Sequence, residues 1–168
     1  MSVGFNRTGI CDVRYQRAML DVAGTIETHG RVSIGAGSRI VVGKDAVLRF
    51  GGKVAYSAAV TIVCGKSMEI GGDTVISWDT LIMDTDYHYV MDTEKGTTRP
   101  MRKPIKIGQG TWLCAGSKVL KGAVLPDGCI LSAGSVLSNP MEECDCLLVG
   151  NPAAVVKRNV RRSDKDIN

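Results

Sequence analysis

A histidine and two aspartates lie close together near the middle of the chain, in the run 84–88, Asp-Thr-Asp-Tyr-His. An imidazole can take up and release a proton near physiological pH, so His88 is suited to acid–base chemistry. The carboxylates of Asp84 and Asp86 can orient that ring or bind hydroxyl groups. The segment 92–100 that follows is polar and carries Gly and Pro, which predicts an exposed loop. A loop on a rigid scaffold is a common place for a site.

The scaffold is indicated by a repeat of six residues. Aliphatic residues return every six positions in two blocks, with a small residue four positions after most of them. Helices repeat every 3.6 residues and strands every 2, so neither explains this spacing. A short strand plus a corner does, and three such units make a triangular coil of about 18 residues. The inward positions are Cys64, Ile70, Ile76 and Ile82, then Ile107, Leu113, Val119, Leu125, Leu131 and Leu137. We therefore predict an all-β chain folded as a parallel β-helix.

The two blocks are out of phase. Ile107 follows Ile82 by 25 residues, one more than four hexapeptides, so the chain must leave the coil and return. Continued spacing from Ile82 would place position 88 inward, where the sequence has a histidine. We expect an excursion loop at about 84–104, and this loop carries the candidate site.

Length and composition suggest how the chain is organised. The 168 residues suit one domain, and no run of about 18 apolar residues is present, so we expect no membrane insertion. The residues after Met1 do not form a secretory signal, which favours a cytoplasmic location. We predict an N-terminal cap and first coil over 1–30 with a short helix near 13–20, a β-helix over 31–158, and a charged, frayed tail over 159–168.

Charge and cysteines exclude several other functions. The net charge is +4, with positive residues clustered near 99–106 and 157–165. Aromatic residues are not interleaved with them, so we do not expect nucleic-acid binding. Cys64 and Cys129 fall on repeat positions and are expected in the core. The pair Cys144 and Cys146 has the wrong spacing for a zinc site, and we expect no metal.

Several ordered motifs together resemble the hexapeptide-repeat acyltransferases. They are the repeat, the run Ser77-Trp78-Asp79 leading to His88, the stretch 104–113, and the ending Gly150-Asn151-Pro152-Ala153. The nearest group is that of the galactoside and maltose O-acetyltransferases, with similar enzymes of surface-polysaccharide synthesis. The resemblance covers about residues 30–158. It implies a left-handed β-helix, acetyl-CoA as co-substrate, and a homotrimer with active sites between subunits that acts on a small-molecule sugar acceptor.

The resemblance also assigns roles around the loop. His88 matches the general base, which takes the proton of an acceptor hydroxyl as its oxygen attacks the thioester carbonyl of acetyl-CoA directly. Asp84 and Asp86 are candidates for binding the acceptor or orienting the base. Trp78 and Tyr87 are candidates for a wall that stacks against a sugar ring.

The coenzyme contacts follow from the same matching. Trp112 matches a tryptophan that lines the pantetheine groove, backbone groups near Ala115 and Ala133 match the walls of that groove, and Lys157 matches a basic residue near the nucleotide. The family often has an arginine where this chain has Ala154, so another cation must contact the phosphates. The candidates are Arg158, Arg161 and Lys118.

Other functions stay open at this point. The acceptor group can be the amine of an amino sugar or nucleotide sugar, and a covalent route through Cys114 remains. A γ-type carbonic anhydrase shares the β-helix but needs three histidines per zinc, and the sequence has only His29 and His88. A catalytically silent β-helix is the remaining alternative.

Overall fold

The computed structural model describes residues 1–4, 12 and 14–163, and regular structure in this part consists of strands. No helix among these residues has the length and hydropathy needed to cross a membrane. The 21 strands that they form are, in chain order, β1 (Ser2–Val3), β2 (Met19–Val22), β3 (Thr25–Thr28), β4 (Val32–Ile34), β5 (Arg39–Val42), β6 (Val47–Phe50), β7 (Val54–Tyr56), β8 (Thr61–Cys64), β9 (Ser67–Ile70), β10 (Val75–Ile76), β11 (Leu81–Met83), β12 (Val90–Asp92), β13 (Thr97–Arg99), β14 (Ile105–Ile107), β15 (Trp112–Leu113), β16 (Lys118–Leu120), β17 (Val124–Leu125), β18 (Ile130–Leu131), β19 (Val136–Leu137), β20 (Cys146–Gly150) and β21 (Ala153–Arg158).

Three parallel sheets form the three faces of a coil. Face A has the order β1-β4-β7-β10-β15-β18-β20-β21, face B the order β19-β16-β11-β8-β5-β2, and face C the order β17-β14-β9-β6-β3. Consecutive coil strands pass from face A to B to C, and each pairs with the strand one coil away. Only β21 pairs antiparallel within these faces, on the outer side of β20. The described residues therefore confirm the predicted parallel β-helix.

Stacked side chains fill the inside of the coil. On face B, residue pairing aligns Ile40, Ile62, Ile82, Val119 and Leu137, and each is at most 1% exposed. The same alignment on face A joins Tyr56, Ile76, Leu113, Leu131 and Leu148, and on face C joins Phe50, Ile70, Ile107 and Leu125. The predicted inward positions are thus confirmed, and Cys64 and Cys129 are core residues as expected.

Small residues line the corners where one face turns into the next. Those predicted from the repeat are buried: Thr74, Thr80, Thr111, Ser117, Ala123, Cys129 and Ser135. The Thr74 and Thr111 hydroxyls lie 3.1 Å apart, and both donate to the carbonyl of Gly108. A larger side chain would not fit at these turns, which explains the second period in the repeat.

The coil is interrupted once between its middle strands. Strand β11 ends at Met83 and β14 begins at Ile105, so residues 84–104 leave the coil, as the phase break predicts. Strands β12 and β13 form an antiparallel hairpin in this loop. At its base Thr85 and Arg102 form an antiparallel bridge.

One expectation at the N-terminal end is wrong. The short helix predicted near 13–20 is absent from residues 14–20, where a turn precedes strand β2; residue 13 lies outside the described part. In the described half of the expected frayed tail, 159–163, the N–H of Val160 donates to the carbonyl of Asp145 at 2.9 Å and Arg161 pairs with the same aspartate. Residues 164–168 lie outside the description. At both ends the backbone conformation is set by hydrogen bonds to the neighbouring coil.

We expect Ile62→Ala to lower the free energy of unfolding by about 2–5 kcal/mol, because it opens a cavity in the middle of the face B column. Leu20→Ala is the matched control, since Leu20 pairs with Ile40 in the same column but lies at its end and is 52% exposed. Leu20→Ala should lower the free energy of unfolding by no more than about 1 kcal/mol. Urea unfolding followed by circular dichroism measures both. Equal losses would contradict the importance of the buried column.

Candidate functional site

Asp84 anchors the start of the excursion loop inside the coil. Its side chain is 0% exposed, and its carboxylate accepts hydrogen bonds from the backbone N–H groups of Gly65 at 2.5 Å and of Lys66 and Ser67 at 2.8 Å. Its own carbonyl accepts the N–H of Lys103 at 3.0 Å. Both carboxylate oxygens therefore face the turn of the preceding coil. This geometry gives Asp84 a structural role in place of the predicted contact with an acceptor.

Asp86 ties the same loop to the following coil. Its carboxylate pairs with the ammonium group of Lys121, which also donates to the carbonyl of Pro100 at 2.9 Å. The N–H of Asp86 donates to the carbonyl of Met101 at 3.0 Å. Both ends of the loop base are thereby held between two coils.

His88 lies on the exposed part of this loop. Just before it, Tyr87 has a φ of 60°, an uncommon backbone conformation for a bulky residue, and the hydroxyl of Thr85 accepts its N–H at 3.1 Å. The side chain of Tyr87 is exposed, as is that of Tyr89. Among the described residues no hydrogen bond or ion pair engages the His88 imidazole, so a substrate can approach it.

A second group of predicted residues lies on face A and at the corner between faces A and B. The indole N–H of Trp112 donates to the hydroxyl of Ser77 at 3.1 Å, which fixes the half-buried ring. At the corner, the carbonyl of Trp78 accepts the N–H of Gly116 at 2.9 Å, and the carbonyl of Ala115 accepts that of Gly134 at 3.0 Å. Trp78, Ala115 and Ala133 thus mark the same corner on three successive coils.

These two groups lie on different edges of the triangular coil. The loop with Tyr87 and His88 leaves the coil at the corner between faces B and C. Trp78 lies at the corner between faces A and B, on the other side of face B, and Trp112 lies on face A. Within one chain the structure does not bring the predicted base to the predicted coenzyme groove. Tyr87 and Trp78 do not form a common wall either. A site that uses both groups needs the two edges of two different chains.

Two of the side chains predicted to bind phosphate are paired with carboxylates. Arg158 contacts both oxygens of Glu143 at 2.5 and 3.0 Å, and Arg161 contacts both oxygens of Asp145 at 2.5 and 2.7 Å. These hydrogen bonds lower the pKa of Glu143 and of Asp145. Lys157, on strand β21, is exposed, as is Lys118 on β16. Among the described residues the two lysines form no ion pair, which makes them the better candidates for a phosphate contact.

The thiols of Cys64 and Cys114 are poorly suited to nucleophilic attack. Burial, followed by the nearby negative charge of Asp84, raises the pKa of Cys64 to about 12. Burial also raises the pKa of Cys114. A thiol with a raised pKa holds little thiolate at neutral pH. Within the described residues no group of three His, Cys, Asp or Glu side chains lies close enough to hold a metal ion.

Sequence reasoning missed three roles that shape the site: Asp84 as an anchor, Lys121 as the partner of Asp86, and Ser77 as the partner of Trp112. A signal for Asp84 was present, because side chains alternate along a strand and Asp84 is two positions after the inward Ile82. Lys121 and Ser77 lie 35 residues from their partners Asp86 and Trp112, and the interval is the same in both pairs. Their contacts depend on how coils stack across the loop.

Comparisons with known proteins find acetyltransferases. A probable acetyltransferase from Mycobacterium tuberculosis is 31% identical over 119 residues, which cover 67% of this chain and 38% of the relative. A polysialic acid O-acetyltransferase from Escherichia coli is 27% identical over 131 residues, covering 77% of this chain and 40% of the relative. The chain spans about two fifths of the length of these curated relatives. No protein-family model matches it.

Solved structures share the fold. The polysialic-acid-specific acetyltransferase NeuO superposes with a TM-score of 0.80 at 23% identity, over 89% of this chain and 68% of that one. A hexapeptide-repeat acetyltransferase from Vibrio cholerae, solved with acetyl-CoA, gives 0.61 at 19% identity, over 81% and 72%. The left-handed β-helix is confirmed, as is the resemblance to the hexapeptide-repeat acyltransferases. The named relatives are enzymes of the predicted class.

We expect Asp84→Asn to destabilise the protein by at least about 2 kcal/mol, because an amide group would point an N–H at backbone N–H donors inside the coil. Asp86→Asn is the matched control. It removes a partly exposed ion pair and should cost less than about 1 kcal/mol. Thermal unfolding of both variants tests this, and an Asp84→Asn protein as stable as the control would contradict the anchoring role.

Proposed function

We propose that this protein transfers an acetyl group from acetyl-CoA to a hydroxyl group of a sugar or polysaccharide precursor. The observation that carries the proposal is the exposed His88 on a loop whose two ends are fixed to neighbouring coils by Asp84 and Asp86. The acetyltransferase relatives support it, one of which is named for a polysaccharide acceptor. Acetyl-CoA as donor is supported by the coenzyme in the Vibrio cholerae neighbour.

In the proposed reaction His88 acts as general base. The neutral imidazole takes the proton of the acceptor hydroxyl while the oxygen attacks the thioester carbonyl carbon. The tetrahedral intermediate then collapses, the C–S bond breaks, and the CoA sulfur receives a proton from the imidazolium ring. A base held in this way typically contributes about 10²–10⁴-fold to the rate. The raised pKa of Cys114 favours this direct transfer over an acyl-cysteine.

The proposed coenzyme groove follows face A and the corner next to it. Trp112, held by Ser77, would contact the pantetheine arm, backbone groups at Ala115 and Ala133 would line it, and Lys157 would meet a phosphate. Because His88 lies on another edge of the coil, we propose that one subunit supplies the loop and its neighbour the groove. A closed homotrimer satisfies this arrangement with three equivalent sites.

We expect His88→Ala to slow acetyl transfer at least about 100-fold with unchanged affinity for acetyl-CoA, because only the proton acceptor is removed. His29→Ala is the matched control, since His29 is the other histidine and lies away from the loop. Release of free CoA, measured with a thiol reagent against a panel of sugars, amino sugars and nucleotide sugars, gives the rates. A fully active His88→Ala protein would refute the role.

A mixture of His88→Ala and Trp112→Ala chains tests the shared site. If the two residues come from different subunits, random assembly leaves about a quarter of the interfaces with both intact, and about a quarter of wild-type activity returns. The chains are unfolded and refolded together, with each variant refolded alone as control. Activity no higher than the mean of the two variants would show that each site lies within one chain.

A further inference from the structure

A row of cations follows the corner between faces B and C. Lys44 lies in the turn after β5, Lys66 in the turn after β8, and Arg102 and Lys103 at the base of the excursion loop one coil further. These four residues are called the basic corner below. The row ends at the loop that carries the proposed catalytic base.

Backbone contacts show that these residues stack along one edge. The N–H of Gly43, before Lys44, donates to the carbonyl of Cys64 at 2.8 Å, which aligns the two lysine turns. A Cβ atom on Gly65 would lie 3.3 Å from the guanidinium Nε of Arg102, so that group rests against the Lys66 turn. Paired strands lie about 4.8 Å apart, which is therefore the spacing between the turns that carry Lys44 and Lys66.

The charges of the basic corner are not neutralised by ion pairs. Within the described residues, the exposed side chains of Lys44, Lys66, Arg102 and Lys103 form no ion pair. The nearby acids do not balance them. Asp84 points inward to backbone N–H groups and Asp86 is paired with Lys121, which leaves Asp45 as the exposed carboxylate of the lysine turns.

Some other cations of the coil are paired with carboxylates. On face C, Arg49 pairs with Glu27 at 2.7 Å. At the corner between faces C and A, Lys53 lies 3.7 Å from Asp73. Among the described residues no such pair involves the cations of the basic corner. A row of like charges is costly to the folded state unless something compensates it, which points to an anionic partner.

We propose that the basic corner binds the chain of an anionic glycan and leads one of its hydroxyl groups to His88. This inference rests on the proposed acetyl transfer and assigns its acceptor class. The cations are spread along an edge over three coils instead of converging on one point, which suits a polymer with repeated carboxylates better than a single small anion. The exposed rings of Tyr87 and Tyr89 beside His88 offer faces for sugar rings.

The position of the row also separates the two substrates. The basic corner extends from the loop toward the N-terminal coils, whereas Trp112, Ala133 and Lys157 lie on coils that follow the loop. Glycan and acetyl-CoA would therefore reach His88 from opposite ends of the coil, without competing for one cation.

Binding of a labelled oligogalacturonate, measured by fluorescence anisotropy, tests the proposal directly. The test variant is the double substitution Lys44→Gln and Lys66→Gln, and the control is Arg31→Gln and Lys53→Gln, which removes the same charge at the corner between faces C and A. We expect about tenfold weaker binding for the test variant, since two charge contacts contribute about 1.4 kcal/mol together. Physiological salt should weaken wild-type binding, and a maltodextrin of equal length should bind poorly.

The outcomes separate this proposal from the proposed function. Equal weakening in both double variants would overturn the basic corner as a site, as would tighter binding of a single-stranded oligonucleotide than of oligogalacturonate. Loss of acetyl-CoA affinity in the test variant would also overturn it, because the cations would then serve the coenzyme. Selective loss of oligogalacturonate binding supports the site even if no acetyl transfer is detected, and transfer that depends on His88 tests the reaction independently.

Discussion

The narrow interior of the coil is the constraint on which the rest of the structure depends. Each face contributes stacked columns of side chains, and a residue such as Ile62 contacts equivalents one coil before and one coil after it. Most inward positions are aliphatic, and the buried corner positions are small, because larger side chains would not fit there. This requirement imposes a six-residue period on the sequence. It also makes the backbone a rigid support on which loops can be fixed.

The break in that period creates the candidate site. Where the alternation along β11 calls for an apolar residue after Ile82, the chain has Asp84, and burial of its charge is compensated by three backbone N–H donors from the preceding turn. The chain cannot continue the coil from there and leaves it as a hairpin loop. The ion pair between Asp86 and Lys121 fixes the other side of the base. His88 is therefore exposed on a segment with two fixed attachments.

The edges of the coil differ in whether their cations are paired with carboxylates. Pairs such as Arg158 with Glu143 hold the C-terminal strand on the last coils. These cations are therefore already engaged by carboxylates. The basic corner has no such compensation. Parallel stacking places the turns of Lys44 and Lys66 about 4.8 Å apart along one edge, a surface that no local sequence window contains.

The sequence by itself determined the β-helix, the inward residues and the position of the loop, because each depends on spacing along the chain. The handedness came from resemblance, since spacing is the same for either hand. Tertiary structure decided the role of Asp84, the partners of Trp112 and Arg158, and the alignment of Lys44 with Lys66. It also showed that His88 and Trp112 lie on different edges. These facts depend on which residues meet between coils. The phase break in the repeat reveals that a loop is present, but not the register in which the coils stack across it.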